Sequence, residues 1–412
     1  MNCRHCETPL HQTFLDLGSA PPSNAYLSED DLSKPEQWYP LRVLVCNSCW
    51  LVQTDDFAQA GDLFDSEYAY FSSYSTSWLA HAKQYAEDMC ARFELDNESL
   101  VVEVAANDGY LLQYFQGSDI PCYGIEPTAS TAAVARERGI EVCEEFFGKT
   151  LAEKLLKNEK AADLIAANNV LAHVPDINDF VSGFATLLKD TGVATFEFPH
   201  LLKLVKERQF DTIYHEHYSY LTLSSVNTIL SKAGLSIFDA EELPTHGGSL
   251  RVYAQRNNSG TQPISSRVAA LLEEECNEGV TTSAFYAGFQ EKAEDIKDQL
   301  LNFLLELKSK GKSVGAYGAA AKGNTLLNFA GVRPDLLPWV VDLNPAKQGH
   351  FLPGSRIPIV SEDCLRSKQP DYIIILPWNL REEIVNQLEY TRKWDVSFVT
   401  FIPELLVSKC HV

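Results

Sequence analysis

The chain has 412 residues, with 34 basic against 56 acidic side chains and a formal net charge of −22 at pH 7. Hydrophobic residues make up 45% and charged residues 22%, a globular composition that excludes an intrinsically disordered chain. Non-specific binding to nucleic acid or anionic lipid depends on clustered positive charge, so this acidic balance excludes both as general partners. The length predicts two or three domains, each with its own core.

The hydropathy pattern predicts a cytoplasmic protein with no membrane partner. No apolar run reaches the ~20 residues that a membrane helix needs. The first ten residues, MNCRHCETPL, lack the basic-then-apolar layout of a secretory signal. In a reducing compartment we expect the six single cysteines to pack as small hydrophobic residues. They are Cys90, Cys122, Cys143, Cys276, Cys364 and Cys410.

The other four cysteines form two Cys-x-x-Cys pairs, Cys3 with Cys6 and Cys46 with Cys49. Each pair puts two thiolates on a tight turn, and two such turns complete the tetrahedral shell of a structural zinc ion. The alternatives are two unrelated pairs or a redox motif. A shell of four thiolates leaves no open position, so the predicted zinc holds the fold together and does no chemistry. His5 is a possible ligand inside the first pair.

The central region predicts a doubly wound α/β domain. An apolar strand at 101–104 runs into the loop EVAANDG (103–109) and a helix start, the first β-α unit of a nucleotide-type fold. A second strand, CYGIEP (122–127), ends in Glu126, where an acid can accept hydrogen bonds from ribose hydroxyls. Two later strands are predicted in the segments 163–176 and 192–199.

The loop at 103–109 favours S-adenosylmethionine over a nicotinamide dinucleotide. It contains one glycine, whereas the dinucleotide fingerprint needs three in G-x-G-x-x-G. Glu103 and Asp108 place negative charge near the cofactor, which suits a sulfonium cation and would repel a pyrophosphate. A purely structural β-α turn stays open as the alternative.

A histidine-rich segment, DTIYHEHYSYL (211–221), is the second functional candidate. Its H-E-H sequence lacks the i, i+4 histidine spacing of zinc proteases, which argues against a catalytic metal. A histidine that titrates near neutrality and is oriented by a carboxylate is a suitable general base for a carbon acid. A solvated cluster without function is the alternative.

The last third predicts a linker helix from 265 and then a second βαβ pattern. KSVGAYGAAAKGNTLL (312–327) reads as strand, turn and helix start, and WVVDLNPAKQG (339–349) as a strand ending in Asp342. This pattern is the main support for an alternative function, an NAD-dependent nucleotide-sugar oxidoreductase. The glycine spacing departs from the dinucleotide fingerprint, however, and Lys322 at the helix opening suits phosphate groups.

Six features together make the chain similar to the sugar C-methyltransferases of deoxysugar biosynthesis, and they span nearly its whole length. They are the four-cysteine N-terminus, EVAANDGYLL (103–112), NNVLAHVPD (168–176), YHEHYSYL (214–221), THGGSLRVY (245–253) and GAYGAAAKGNTLLN (315–328). The resemblance implies an α/β protein of three domains. They are a zinc-binding domain (1–58), a Rossmann-like domain that binds S-adenosylmethionine (59–262), and a C-terminal Rossmann-like domain that helps bind a nucleotide sugar (263–412).

The resemblance implies that the substrate is a nucleotide-linked 4-keto-6-deoxy hexose, methylated at carbon 3. A C–H bond beside a ketone is acidic because the carbanion delocalises into an enolate, and the enolate carbon then attacks the sulfonium methyl. We expect a monomer or small homo-oligomer. A non-catalytic nucleotide-sugar-binding protein is a further alternative, although intact Glu103, Asp108, Glu126 and His217 argue against it.

Site residues follow from the resemblance by motif position. His217 is implied as the base, with Tyr214, Glu216 and His173 as further catalytic residues. The implied cofactor-binding residues are Tyr68, Glu103, Asn107, Asp108, Gly109, Glu126, Pro127 and Asn168. The implied substrate-binding residues are Pro199, His246, Arg251, Lys322 and Asn324. Family members commonly carry glycine and serine where this chain has Ala105 and Ala106, so these alanines are expected to crowd the cofactor.

Overall fold

A computed structural model of the chain describes residues 1–55, 57 and 72–409. These residues form three β-sheets with flanking helices. The strands are β1 (Gln12–Ala20), β2 (Tyr39–Val45), β3 (Val52–Thr54), β4 (Val101–Val104), β5 (Cys122–Ile125), β6 (Glu141–Cys143), β7 (Ala162–Asn168), β8 (Leu188–Pro199), β9 (Ser219–Tyr220), β10 (Leu235–Leu243), β11 (Ser249–Arg256), β12 (Val314–Tyr317), β13 (Val340–Val341), β14 (Ile359–Val360), β15 (Tyr372–Ile375), β16 (Ser397–Thr400) and β17 (Leu406–Lys409). The α-helices are α1 (Thr76–Phe93), α2 (Leu112–Gln116), α3 (Ala129–Glu137), α4 (Lys149–Lys157), α5 (Ile177–Leu187), α6 (Leu201–Lys206), α7 (Leu223–Lys232), α8 (Ser266–Glu278), α9 (Ser283–Tyr286), α10 (Phe289–Ser309), α11 (Ala321–Phe329), α12 (Asp363–Lys368) and α13 (Arg381–Gln387).

The N-terminal sheet has the order β1-β2-β3-β9 and is antiparallel. Its first three strands are close in sequence, whereas β9 belongs to the histidine-rich segment far along the chain. Val52 pairs with Tyr220 and Gln53 with Ser219. The N-terminal sheet is therefore completed by the region that carries the predicted base.

The four paired cysteines lie together beside this sheet. Their ligand atoms are all within 4.8 Å of one another, and three of the Sγ–Sγ distances are 3.5 Å. Zinc–sulfur bonds of about 2.3 Å in a tetrahedron require sulfurs about 3.8 Å apart, whereas a disulfide requires about 2 Å. The cluster therefore fits a structural zinc ion. His5 lies outside it, since its Nδ1 is 2.7 Å from Asn178 Oδ1.

The central sheet has seven strands in the order β10-β11-β8-β7-β4-β5-β6. The five strands from β6 to β8 are parallel, and β11 runs antiparallel to β8. The chain winds outward in both directions from the boundary between β4 and β7. Ligands of such doubly wound sheets bind outside the carboxyl ends of the strands at this switch point. The predicted doubly wound fold is confirmed.

The loop after β4 turns through three residues with positive φ: Ala105 at 59°, Asn107 at 49° and Gly109 at 78°. Alanine is strained in this left-handed region because its Cβ approaches the following carbonyl oxygen. The next residue, Ala106, is fully buried, and a Cβ added to Gly124 of β5 would stand 2.6 Å from the Ala106 Cβ. The small residues thus let the loop pack closely on β5.

The C-terminal sheet has six strands in the order β14-β13-β12-β15-β16-β17. Its first five strands are parallel and β17 is antiparallel to β16, so its switch point lies between β12 and β15. This is the second Rossmann-like unit that the βαβ pattern predicts.

Two large cores join the three sheets. One packs Cys3, Leu44 and Cys46 against the helices and strands of the central sheet. The other packs the opposite side of the N-terminal sheet against α10 and the C-terminal sheet, where the ring of Phe14 stacks on Phe289 at 4.6 Å. Across residues 1–55, 57 and 72–409, none of the helices is both long and apolar enough to pass through a bilayer.

Removal of zinc is expected to destabilise the whole protein. Cys46→Ser should abolish zinc binding and lower the free energy of unfolding by more than about 2 kcal/mol, since structural zinc binding contributes directly to folding. Metal analysis and denaturant unfolding measure both effects. The matched control is Cys276→Ser at an exposed cysteine, which should change neither. Zinc-free C46S protein with wild-type stability would contradict the assignment.

The two loop alanines are expected to respond in opposite directions to glycine. Ala105→Gly should raise the free energy of unfolding by about 1 kcal/mol, because glycine relieves the strain at positive φ. Ala106→Gly should lower it by about 1 kcal/mol, because a buried methyl group and backbone rigidity are lost. Parallel thermal melts of the two variants test this, and a shift of the same sign in both would contradict the loop conformation.

Candidate active site

The histidine segment (residues 211–221) is tied by its backbone to the N-terminal and central sheets. Thr54, at the end of β3, donates from Oγ1 to the His217 carbonyl and from its amide to the Tyr218 carbonyl, each at 3.2 Å. The Tyr218 amide in turn donates to the Ala172 carbonyl at 2.8 Å. The position of His217 is therefore fixed by two domains.

The C-terminal domain contacts the same segment within its first three residues. Thr325 of α11 donates from Oγ1 to the Ile213 carbonyl at 2.8 Å. The Trp378 indole nitrogen, from the loop after β15, donates to Asp211 Oδ2 at 2.8 Å. The switch points of the central and C-terminal sheets thus both face the histidine segment.

His217 has a defined tautomer. Its Nδ1 is 2.9 Å from the Thr212 carbonyl oxygen. Because a carbonyl can only accept, Nδ1 carries the hydrogen, and Nε2 of the neutral ring keeps its lone pair. Burial, with the nearby His173 ring, lowers the pKa of His217 well below its usual value. The imidazole is therefore neutral at pH 7 and able to accept a proton.

Two further rings, those of His173 and Tyr214, lie against the His217 ring. His173 donates from Nδ1 to the Glu216 carbonyl at 2.9 Å, and its ring centroid is 4.6 Å from that of His217. Burial lowers the pKa of His173 to about 4. The Tyr214 ring lies 4.1 Å from the His217 ring. The four predicted catalytic residues are thus close together.

The Glu216 carboxylate has a partner that the sequence reading missed. Asn24, in the loop between β1 and β2, donates from Nδ2 to Glu216 Oε1 at 2.6 Å. This loop is held from the C-terminal domain: Asn324 donates to the Ser23 carbonyl at 2.8 Å, and Tyr26 to the Ala319 carbonyl at 2.7 Å. Asn324, predicted to contact substrate, therefore fixes this loop.

The edge of the central sheet carries buried acceptors at its switch point. Both carboxylate oxygens of Glu103, Oδ1 of Asp108 and Oδ1 of Asn168 lie buried without a hydrogen-bond partner among the residues described. Burial raises the pKa of Glu103 well above its usual value against the opposing effect of the Tyr110 hydroxyl, and the charges of Asp108 and Glu126 add to the rise. Unpaired buried acceptors fit a ligand that brings donors and positive charge, as S-adenosylmethionine does with its ammonium, hydroxyls and sulfonium.

Glu126 directly follows β5 at this edge of the sheet. Its Oε2 accepts from the Asn107 amide and its Oε1 from the Thr128 amide, both at 2.9 Å. Each oxygen keeps a further lone pair for a hydroxyl, which is consistent with the predicted ribose contact. Pro127, next in the chain, is partly exposed at the same edge.

The start of α1 lies over the loop after β4. The Ser72 amide donates to Asn107 Oδ1 at 2.9 Å, and the Ser73 hydroxyl donates to Asp108 Oδ2. Arg138 approaches the same carboxylate oxygen at 3.5 Å. The predicted cofactor residue Tyr68 lies outside the described residues.

A buried ion pair stands at the carboxyl end of β8. Glu197, fully buried, accepts from Arg251 at 2.9 Å, and both of its oxygens are 2.9 Å from His81 Nε2. The Arg251 guanidinium, predicted to bind substrate, is thus engaged inside the protein. Neither Glu197 nor His81 was singled out from the sequence, although an acid at the end of a buried strand is a usable signal.

The cofactor crevice and the histidine segment are connected through His246. Its Nε2 is 3.2 Å from Asn169 Nδ2, and its ring lies 5.4 Å from that of Trp78. On its other side, the His246 carbonyl is 3.4 Å from Lys322 Nζ. Pro199, at the end of β8, pairs with Ser249 beside this loop. His246 therefore contacts Lys322 through its carbonyl oxygen, and Pro199 lies on the strand that pairs with Ser249 just after the His246 loop.

The C-terminal switch point also carries an acid after its second strand. The acid after β13, Asp342, accepts from the Ala319 amide with Oδ2 at 2.8 Å and from the Asn344 amide with Oδ1 at 2.9 Å. Lys347 also donates to the Ala319 carbonyl at 2.9 Å. Backbone amides thus hold the Asp342 carboxylate in the same way as they hold that of Glu126.

Comparison with known families and proteins agrees with this architecture. Family models match as a zinc binding domain at residues 3–64, a methyltransferase domain at 78–239 and a C-methyltransferase C-terminal domain at 244–403. C-methyltransferase NovU of Streptomyces niveus is 33% identical over 406 residues, which cover 98% of this chain and 95% of NovU.

Two solved structures share weaker similarity with the chain. An S-adenosylmethionine-dependent methyltransferase from Clostridium acetobutylicum has 11% identity and a TM-score of 0.36, with 44% of this chain and 92% of that one covered. Magnesium protoporphyrin IX methyltransferase from Synechocystis has 16% identity and a TM-score of 0.34, with 43% and 82% covered. From the three domain matches and the full-length relative, the chain belongs to the zinc-binding, S-adenosylmethionine-dependent C-methyltransferases, the family that includes NovU.

Proposed function

We propose that this enzyme methylates carbon 3 of a nucleotide-linked 4-keto-6-deoxy hexose, with His217 as the base. The observation that carries the proposal is the hydrogen bond from His217 Nδ1 to the Thr212 carbonyl at 2.9 Å. It leaves a neutral imidazole with its acceptor nitrogen available, and a carbon acid needs such a base. The sugar substrate is further supported by the resemblance of six segments to sugar C-methyltransferases.

The first step is enolate formation. His217 Nε2 removes the proton from carbon 3, the C–H electron pair forms the C3–C4 double bond, and the carbonyl pair moves to the oxygen on carbon 4. Tyr214, His173 and Glu216 surround the base, and we assign them to orienting the sugar and stabilising the developing charges. S-adenosylmethionine, when bound, supplies the electrophilic methyl group that the carbanion takes.

The remaining predicted residues divide between two ligands. Glu103, Asp108 and Asn168 would hold the cofactor through acceptors that are otherwise unpaired, and Glu126 would accept from its ribose. We assign His246, Lys322 and Pro199 to the sugar side of the cleft. We also propose that the domains meet near residues 58 and 262, since the sheets change near these positions.

His217→Asn is expected to abolish proton abstraction while the protein still binds S-adenosylmethionine. Incubation in heavy water with nucleotide 4-keto-6-deoxy hexoses, without methyl donor, should show wild-type exchange of the carbon 3 proton. The rate in H217N should fall by at least about 10²-fold, the usual contribution of a general base. Mass spectrometry or proton NMR measures the exchange.

The matched control is His215→Asn, two residues away. His215 Nε2 is 3.3 Å from the Tyr39 carbonyl and 3.2 Å from that of Pro40, so its ring contacts backbone and not the cleft. H215N should lose stability and retain exchange. Wild-type exchange in H217N would remove this histidine from the mechanism.

The acid limb of the pH–rate profile is expected at unusually low pH. A base acts when unprotonated, and the lowered pKa of His217 means that the active form persists below the usual histidine value of 6.5. The exchange rate should therefore stay level as the pH falls through 6.5 and decline only when it passes through the lowered pKa. Half-maximal exchange at pH 6.5 would contradict the burial argument.

A further inference from the structure

We propose that Lys322 is the cation that stabilises the enolate oxygen on carbon 4, and not a ligand of the diphosphate. This inference rests on the function proposed above and assigns a catalytic role at the same site. It follows from the position of the Lys322 ammonium group and from the absence of a third acceptor and a counter-ion among the described residues.

Lys322 is the second residue of α11 and is partly buried. Its Nζ is 2.9 Å from Asn379 Oδ1 and 3.4 Å from the His246 carbonyl, and it lies 4.5 Å from the centre of the Trp378 ring. An ammonium group has three donors. Among residues 1–55, 57 and 72–409, the third has no acceptor of its own.

The charge of Lys322 also lacks a direct counter-ion. Within the described parts of the chain, no carboxylate oxygen lies within 4.0 Å of Nζ. Asp211 is the acid whose charge acts on this ammonium group; its Oδ2 accepts from the Trp378 indole, and its Oδ1 is buried without a partner among the described residues. Buried charges are normally paired, so the site favours a ligand that becomes negative next to the ammonium.

The ammonium lies against the His246 carbonyl, on the helix that contacts the histidine segment. Its charge lowers the pKa of both His217 and His246. One turn further along α11, Thr325 bonds the Ile213 carbonyl, which docks this helix end on the histidine segment. A cation here opposes protonation of the base unless an anion forms at the same time. Enolate formation supplies that anion.

The geometry of the sugar separates the two possible roles. In a hexopyranose the diphosphate is attached at carbon 1, across the ring from carbon 4. A lysine close to the base of carbon 3 is therefore on the ketone side. In the proposed step the carbon 3 proton moves to His217 Nε2 and the negative charge develops on the carbon 4 oxygen. Lys322 keeps its proton and donates a hydrogen bond to that oxygen.

The test compares Lys322→Met and Lys322→Arg with the wild type. Carbon 3 exchange in heavy water without methyl donor should fall at least about 10²-fold in K322M, the usual cost of one oxyanion donor, with partial recovery in K322R. Titration with dTDP, GDP and CDP should give unchanged affinities. Thermal melts and S-adenosylmethionine binding check that both variants are folded.

The alkaline limb gives an independent readout. Burial lowers the pKa of Lys322 to about 8, against the opposing effect of Asp211. Wild-type exchange should therefore decline above about pH 8, and the limb should vanish in K322R, because arginine stays charged. Of the other groups around Nζ, Asn379 and the Trp378 ring do not titrate, and His246 and His217 are neutral at this pH. Burial raises the pKa of Asp211 to about 7, so this acid is already ionised where the alkaline limb begins.

The outcomes are distinguishable. Exchange by the wild type but equally by K322M would overturn the role of Lys322 alone. An unchanged exchange rate in K322M together with weaker binding of the nucleoside diphosphates would show that this lysine binds the diphosphate instead. If the wild type exchanges no proton from any of the sugars, the proposed function fails, and the inference with it.

Discussion

The pairing of β3 with β9 is the constraint on which the rest of the site depends. It joins the end of the zinc-bearing sheet to the segment that holds His217, and Thr54 continues the contact with two further hydrogen bonds to that segment. Gln53 links this strand to the metal site, since its Nε2 is 3.3 Å from Cys3 Sγ. The structural zinc of this C-methyltransferase is therefore one strand away from the proposed base.

Burial of the histidines determines their protonation states in the cleft. His217, His173 and His246 all have a lowered pKa because burial disfavours their charged forms. Neutral imidazoles beside an ammonium group form a site that is ready to accept one proton and one negative charge. The acidic residues at the cofactor edge complement this, since their unpaired oxygens favour a cationic ligand. The cleft thus separates an acceptor-rich side from a donor-rich side.

Local patterns predicted most of the fold. The Cys-x-x-Cys pairs, the strand that ends in Glu126 and the second βαβ unit were all recognisable, because their spacing reflects local geometry. Contacts between distant segments were not predictable. Asn24 meets Glu216 only because the N-terminal and central domains pack together, and His81 meets Glu197 only because the central domain folds α1 against the end of β8. Arg251 was predicted at the substrate from its position in a motif, whereas a buried carboxylate on the neighbouring strand engages it.

Amide hydrogen–deuterium exchange of the histidine segment tests most directly whether the zinc-bearing sheet holds the base in place. Peptides that span residues 211–221 should be strongly protected in the zinc-loaded enzyme, because Thr54 and β3 bond their backbone. When zinc is removed with a chelator, protection should fall more steeply in this segment than in β12 or β15. Equal protection with and without zinc would contradict the account, because it would mean that the metal site does not stabilise the segment that carries His217.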